Sequence, residues 1–97
     1  MEKIYKLEHE YISFKSSNGL MSDAYKEING ELKIVGNRPI VGTQLIVGQS
    51  LDSQNWLKCS TIKNLLIDED NYVKFKTENS IYQWWSFTKE EVEEQNR

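Results

Sequence analysis

The chain has 97 residues, of which 38% are hydrophobic and 28% charged, and its formal net charge is -3 at pH 7. This length suits one domain, and the composition is that of a globular protein, which excludes wholesale disorder. Because the overall charge is slightly negative, broad salt-driven adhesion to nucleic acid is not expected, whereas a local basic patch is still compatible with the composition.

The single cysteine, Cys59, excludes an intramolecular disulfide and leaves a zinc site without its usual companion ligands. We expect Cys59 to be a small buried residue. The N-terminus has no apolar run of signal-peptide length, and no segment reaches the roughly 20 apolar residues of a membrane span. These features predict a cytoplasmic protein, with one β-rich domain over residues 1–87 and a tail over residues 88–97.

The first segment, residues 4–14, mixes apolar alternation with charged residues, which predicts an edge strand. Residues 16–19 have the composition of a loop that ends this strand. His9 is the only histidine, and on a strand the neighbouring Glu8 and Glu10 point to the opposite face, so the three cannot bind one metal ion. We therefore expect a solvated His9 without a catalytic role.

The next segment, residues 22–35, contains Asn29-Gly30, a strong hairpin signal because both residues tolerate the positive φ of a type I′ turn. A hairpin would place on one face Tyr25, Glu27, Leu32 and Ile34. The competing interpretation is a short helix over residues 23–28, capped by Ser22 and closed by Gly30.

An apolar run at residues 40–48 predicts a central strand, bent or closely approached at Gly42 and Gly48. Glycines at such points are common where a small sheet curls into a barrel. Residues 52–55 then predict a turn that leads into the last third of the domain.

Residues 60–87 predict a three-stranded antiparallel meander, because turn clusters at residues 68–71 and 78–80 separate three runs rich in β-branched and aromatic residues. A first turn of four residues sets Leu66 opposite Val73. The second turn has two residues, Glu78-Asn79 or Asn79-Ser80, and both choices leave the same residues on the same face.

Strand alternation then divides the meander into two faces. The predicted core face carries Ile62, Leu66, Val73, Phe75, Tyr82 and Trp84, with Asn64, Thr77 and Ser86 among them. The opposite face carries Lys63, Leu65, Ile67, Tyr72, Lys74, Lys76, Ile81, Gln83 and Trp85.

The opposite face is the candidate functional surface. In the predicted register Lys63 lies directly opposite Lys76, with Lys74 two residues along the same strand. Like charges directly opposite are unfavourable by roughly 0.2 to 1 kcal/mol, so we expect an anion nearby. That anion is a glutamate of the first strand, Glu8 or Glu10, or it is a ligand.

Two interpretations of this face stay open. In the first, the N-terminal strand or residues 22–35 fold across it and make it a second core layer. In the second it is an exposed patch that binds a protein partner, where aromatic and cationic residues dominate the binding energy. The predicted partner-binding residues are Tyr72, Lys74, Lys76, Gln83 and Trp85, with Trp85 as the anchor.

The alternative ligand of the same face is single-stranded nucleic acid, with bases stacked on Tyr72 and Trp85. A small anionic nucleotide held between subunits of an oligomer is a further alternative. In both cases the predicted anion-binding residues are Lys63, Lys74 and Lys76.

The tail begins with Thr88 and Glu91 at the spacing of a capping box, which predicts a short acidic helix. Val92 is its only apolar residue, so we expect a frayed, solvated segment. Its acidic residues are Glu90, Glu91, Glu93 and Glu94.

Motifs of catalysis are missing from the sequence, which has no Gly-rich phosphate loop, nucleophile elbow or pair of histidines at metal spacing. The acidic cluster at residues 68–71 lacks the glycine, the spacing and the terminal glutamate of a calcium-binding loop, so it reads as a hairpin tip. The sequence predicts no enzyme, no cofactor and no metal site.

Turns and strand ends from residue 42 onward follow a recognisable pattern at Gly42, Leu45, Gly48, Ser60, Ile62, Thr77, Asn79, Ser80 and Tyr82, and YKLEH stands at residues 5–9. This pattern resembles a type of short, uncharacterised phage and prophage protein with a small β domain. It has threonine where this chain has Cys59, and the resemblance covers under half of the chain. It implies a mobile-element origin and a cytoplasmic interaction role.

Together these patterns predict a mainly β protein, either a small antiparallel sheet or an SH3-like or split β-barrel of five to six strands with a short acidic C-terminal helix. The function that we expect is non-enzymatic protein binding, as a phage-type modulator or inhibitor of a host protein.

Overall fold

The computed structural model describes residues 2–52 and 55–88, which form nine strands in two antiparallel sheets. The strands are β1 (Lys3–His9), β2 (Ser16–Gly19), β3 (Met21–Ile28), β4 (Glu31–Gly36), β5 (Gln44–Gly48), β6 (Trp56–Lys58), β7 (Asn64–Asp68), β8 (Tyr72–Lys76) and β9 (Ile81–Thr88). The first sheet has the order β2-β1-β9-β8-β7, and the second has the order β4-β3-β5-β6.

The mainly β class is confirmed, but the barrel of five to six strands is not. Within the described residues, the strands form two separate open sheets instead of one closed barrel. Because each sheet has an apolar face, the two pack together and bury those faces in one core. The core cluster consists of Leu7, Ala24, Leu45, Val47, Cys59, Ile62, Val73, Phe75, Tyr82 and Trp84.

The meander is confirmed as β7, β8 and β9. Its second turn is Glu78-Asn79, closed by a 2.9 Å bond from the Thr77 N–H to the Ser80 carbonyl, and it sets Phe75 opposite Tyr82. This is one of the two registers that the sequence allows. The same residues face the core in both, since the registers differ by two positions.

The register predicted for the first turn of the meander is wrong. The Glu69 N–H donates to the Tyr72 carbonyl at 2.9 Å, so the loop has two residues, Asp70 and Asn71, instead of four. A bulge between Leu65 and Ile67 then inserts one extra residue into β7.

The bulge changes which β7 side chains face the core. Leu65 pairs with Phe75 and packs against the core, while Leu66 is 48% exposed. Asn64 is exposed as well and pairs with Lys76. Asn64, Leu65 and Leu66 were therefore assigned to the wrong face, because a shift of one residue reverses the side chains on one side of the bulge, while Ile67, opposite Lys74, stays on its predicted face.

The edge-strand prediction for the first segment is wrong, since β1 lies between β2 and β9. Residues 16–19, predicted as a loop, form strand β2, with Leu7 opposite Ser17. Lys6 and Glu8 of β1 project from one face, while Leu7 on the other face is fully buried. One solvated face is normal for an interior strand of an antiparallel sheet, so these charges do not require an edge.

His9 is 6% exposed, which contradicts the prediction of a solvated side chain. Its Nδ1 atom accepts hydrogen bonds from the backbone N–H groups of Tyr11 and Ile12, both at 3.1 Å. The ring of Tyr82 meets the imidazole edge-on at a centroid distance of 5.1 Å. His9 thus provides a hydrogen-bond acceptor for two backbone N–H groups where the chain leaves β1, and strand alternation alone does not reveal this role.

The hairpin over residues 22–35 is confirmed, and the alternative helix is not formed. Asn29 and Gly30 have φ values of 52° and 84°, as a type I′ turn requires. β3 pairs with β4 through Tyr25 opposite Ile34. The predicted sharing of a face by Tyr25, Glu27, Leu32 and Ile34 follows from this register.

The apolar run at residues 40–48 forms a strand only from Gln44 onward, because Gly42, with a φ of 89°, lies in a turn. Gly48 ends the strand where β6 approaches closely, and a Cβ there would overlap the Asn55 carbonyl and the backbone of Trp56. The prediction that the chain is bent or closely approached at these two glycines is confirmed, although Gly42 lies before the strand and not within it.

Cys59 is buried in the core, as predicted. Its Sγ atom accepts a hydrogen bond from the Leu45 N–H at 3.3 Å, and burial raises the pKa of the thiol to about 11.

The acidic C-terminal helix predicted for residues 88–97 lies outside the described residues except for Thr88, which ends β9. Among the described residues, no helix has the length and apolar character needed to cross a membrane.

Candidate interaction face

The side of the first sheet that points away from the core is called the outer face here. It is formed by Lys6, Glu8, Glu10, Tyr72, Lys74, Lys76, Ile81, Gln83 and Trp85. The register sets Lys6 and Tyr72 on either side of Trp85, and Glu8 and Lys74 on either side of Gln83. The five predicted partner-binding residues therefore lie together on one surface, as the alternation of β8 and β9 requires.

Trp85 is the centre of the outer face. Its ring lies 5.5 Å from the ring of Tyr72 at an interplanar angle of 45°, and the Lys6 Nζ lies 5.2 Å from its centroid. The Tyr72 hydroxyl and the Gln83 Oε1 are 2.9 Å apart, which fixes the tyrosine ring against the sheet. Trp85 is half-buried by these neighbours, and the rest of its surface is open to solvent.

Two carboxylates accompany the lysines at the centre of the outer face. Glu10 Oε1 lies 2.7 Å from the Nζ of Lys74, and Glu8 Oε2 lies 3.4 Å from the Nζ of Lys6. The hydrogen bond with Glu10 is the main reason that the pKa of Lys74 is raised above its ordinary value. The predicted anion beside the lysines is therefore Glu10, from the segment just after β1.

Lys63 does not lie opposite Lys76, so that part of the prediction is wrong. Asn64 takes that position, and the Lys63 N–H donates to the Lys76 carbonyl at 2.8 Å just before β7 begins. The short first turn and the bulge in β7 are the cause. The three lysines proposed as an anion site are thus not equivalent, because Lys74 has a carboxylate partner while Lys63 and Lys76 are exposed and form no ion pair among the described residues.

A second layer does not cover the outer face within the described residues. β1 extends the first sheet beside β9, and the second sheet packs on the opposite side, against Leu7 and Trp84. The interpretation that the N-terminal strand or residues 22–35 bury this face is therefore wrong for the described part of the chain.

Lys6 is the outer-face residue that sequence reasoning missed. The signal was present, because alternation puts Lys6, Glu8 and Glu10 on the same side of the first strand. What the sequence does not show is that this strand pairs with β9, since the two segments are separated by most of the chain.

The acidic tip of the β7–β8 hairpin has a structural role. Asp68 Oδ1 lies 2.6 Å from Arg38 Nη2, which also donates to the Glu69 carbonyl at 2.9 Å. The Arg38 guanidinium in turn lies 5.9 Å from the centroid of Trp84. Among the described residues, no group of three or more His, Cys, Asp or Glu side chains is placed to bind a metal ion.

A groove of about 450 Å³ opens between β2 and β6, at the rim that the two sheets share. Its lining is mostly polar and includes Lys6, Ser17, Asn18, Gln49 and Trp56. Lys6 belongs both to the lining of this groove and to the outer face.

Comparison with known proteins identifies no relative: no family model, curated protein or solved structure matches the chain. The resemblance to phage and prophage proteins therefore stays a prediction from turn positions.

Proposed function

We propose that the protein is a non-enzymatic protein-binding module whose contact surface is the outer face. Trp85 is the anchor, and the other residues that contact the partner are Tyr72, Lys74, Lys76 and Gln83. The observation that carries this proposal is the ion pair between Lys74 and Glu10, 2.7 Å apart, beside the half-buried aromatic pair of Tyr72 and Trp85.

The aromatic pair provides the binding energy. Tryptophan and tyrosine are enriched among the residues that dominate protein interfaces, where they pack into pockets of the partner. Because Gln83 already holds the Tyr72 hydroxyl and Lys6 lies against Trp85, these side chains lose little conformational freedom when a partner docks.

The charge balance favours a protein over a polyphosphate. At the centre of the outer face, two lysines, Lys6 and Lys74, are matched by two carboxylates, Glu8 and Glu10. Nucleic acid gains its affinity from unpaired cations that replace its counterions, and the carboxylates oppose that gain. A protein partner with its own mixed charges is suited to such a face, where the paired charges set orientation and specificity.

The resemblance of the turn pattern to phage and prophage proteins extends the proposal to the identity of the partner. In this extended form the partner is a host protein, the interaction modulates or inhibits it by occupying its surface, and it takes place in the cytoplasm. The single buried thiol is suited to that reducing compartment.

The proposal is tested by capture from a bacterial lysate followed by mass spectrometry, with the wild-type chain, Trp85→Ala and Trp56→Ala as immobilised baits. Trp56 is the matched control because it is 40% exposed but lies on β6 of the second sheet. We expect one protein to be retained by wild type and Trp56→Ala and lost by Trp85→Ala. Equal capture by folded Trp85→Ala would contradict the proposal.

Single-stranded nucleic acid, or a small anionic nucleotide, is the second candidate ligand. It is favoured by Lys63 and Lys76, which are exposed and have no carboxylate partner among the described residues. Binding through them would weaken steeply with added salt. Titration of the wild-type chain with a labelled single-stranded oligonucleotide at low salt tests for binding of nucleic acid. If the oligonucleotide does not bind at low salt, nucleic acid is excluded as the ligand.

A further inference from the structure

Strand β4 forms one edge of the second sheet, on the side of the molecule away from the outer face. All of its side chains from Glu31 to Val35 are exposed, and Leu32 and Ile34 are 63% and 58% exposed. An edge strand with exposed apolar side chains is a template for pairing with another strand. Within residues 2–52 and 55–88, no strand lies on the outer side of β4.

The turn that precedes β4 determines which backbone groups face this edge. In the type I′ turn at Asn29-Gly30, the Ile28 carbonyl accepts the Glu31 N–H. Bonded and non-bonded pairs alternate along an antiparallel ladder, so Leu32, opposite Glu27, is a non-bonded pair within the hairpin. The N–H and C=O of Leu32 therefore point away from β3, towards the open edge.

We propose that β4 pairs antiparallel with β4 of a second copy of this chain, joining the two second sheets into one. In this arrangement Leu32 of one copy lies opposite Leu32 of the other, and their N–H and C=O groups form two hydrogen bonds. Glu31 of each copy then lies opposite Lys33 of the other. The proposal is independent of the outer face, which belongs to the first sheet.

The charges within the β3–β4 hairpin favour a second copy of this chain as the partner of β4. Lys33 lies directly opposite Lys26 on the same face of the hairpin, an unfavourable like-charge pair. The carboxylate available within β4, from Glu31, is 3.9 Å from the Nζ of Lys33. In the proposed dimer, Glu31 of the second copy lies on the side of Lys33 away from Lys26, so Lys33 has a second carboxylate beside it.

The same charges select the register. If the pairing of the two β4 strands shifted by one residue, the apolar side chains of the two copies would lie on opposite faces of the joined sheet. The alternative registers therefore differ from the proposed one by two residues. One of them places Lys33 opposite Lys33 of the second copy, and the other places Glu31 opposite Glu31. Only the register centred on Leu32 sets opposite charges across the new ladder.

The contact involves one short strand from each copy, so we expect a weak dimer that forms only at high protein concentration. Sedimentation equilibrium over a dilution series from about 1 mM to about 1 µM measures it. The wild-type chain is expected to approach twice its mass of 11.4 kDa at the high end. A wild-type chain that stays monomeric throughout would overturn the proposal.

Charge reversal tests the register. Lys33→Glu brings two carboxylates together across the ladder, and Glu31→Lys brings two ammonium groups together, so each variant alone is expected to be monomeric. An equimolar mixture is expected to form a heterodimer, because every cross-strand pair then has opposite charges. Two variants that each dimerise like wild type, or a mixture that stays monomeric, would overturn the proposed register.

Proline tests the backbone pairing. Leu32→Pro removes only the outward N–H, which β3 does not use, and proline is tolerated on edge strands. Leu32→Ala is the matched control, since it shortens the side chain and keeps the N–H. With thermal unfolding as a check of folding, we expect the proline variant to lose the dimer that the alanine variant retains. Equal association of the two would overturn the backbone pairing.

Discussion

Trp84 of β9 donates its indole N–H to the hydroxyl of Ser22 in β3 at 3.0 Å, and the Ser22 hydroxyl donates to the Asn37 carbonyl at 2.9 Å. This buried relay joins the first sheet to the second inside the core. Ser22→Ala would leave the indole N–H without its partner, and we expect a loss of about 1 to 3 kcal/mol in the free energy of unfolding, measured with urea.

A double-mutant cycle isolates this contribution. In a Trp84→Phe background the donor is already gone, so the further change Ser22→Ala is expected to have a much smaller effect. Equal effects of Ser22→Ala in both backgrounds would show that the bond does not couple the two sheets.

Trp84 and Trp85 are adjacent in sequence and lie on opposite faces of β9. Trp84 is 2% exposed and stacks on Tyr5 at 5.9 Å, so Trp84→Ala is expected to lower stability by about 3 to 5 kcal/mol. Trp85 is half-buried on the outer face, and Trp85→Ala is expected to cost roughly 1 kcal/mol. Urea unfolding of both variants measures the contrast, and similar losses would place Trp85 in the core.

Glu10→Gln removes the carboxylate beside Lys74. The two side chains are partly exposed, so solvent screens the pair and we expect only a small loss of stability. Because Glu10 raises the pKa of Lys74, the pair stabilises the fold fully below the ordinary lysine pKa, and this stabilisation is lost as the pH rises through the higher folded-state value. NMR titration of the Lys74 side chain is expected to show a lower pKa in Glu10→Gln, and an unchanged pKa would contradict the assigned pair.

Gly48 and Gly30 need glycine for different reasons. A Cβ at Gly48 meets the backbone of Asn55 and Trp56, so Gly48→Asn is expected to destabilise by about 1 to 3 kcal/mol through overpacking. Gly30 has open space around it, but its φ of 84° disfavours other side chains, and asparagine tolerates such a φ best, so Gly30→Asn is expected to cost less than Gly48→Asn. Thermal unfolding compares the two, and an equally mild effect at Gly48 would contradict the close approach of β6.

The buried thiol of Cys59 is expected to lower the free energy of unfolding at alkaline pH. The thiol has an ordinary pKa of 9.0, and its folded-state pKa is about 11, so between these values the unfolded chain binds fewer protons and stability falls as the pH rises. The fall amounts to roughly 2 to 3 kcal/mol. Urea unfolding between pH 8 and 11 under reducing conditions measures it. Cys59→Ser lacks this titration, so a slope identical to that of wild type would contradict the prediction.

Local patterns in the sequence were sufficient for part of the fold and of the outer face. The Asn29-Gly30 hairpin, a two-residue turn within residues 78–80 and the opposite directions of Trp84 and Trp85 all follow from turn chemistry and strand alternation. Each of these depends on residues within a few positions of one another, so the sequence by itself determined them.

The tertiary structure alone decided which distant strands meet. The pairing of β1 with β9 brings Glu10 to Lys74 and Lys6 to Trp85, and no local pattern specifies it. The bulge that turns Leu65 inward, where it packs against the core, was likewise not indicated by any local pattern. Alternation fixes the two faces of a strand, but the choice of neighbour follows from burying the apolar faces of both sheets together, which involves the whole chain.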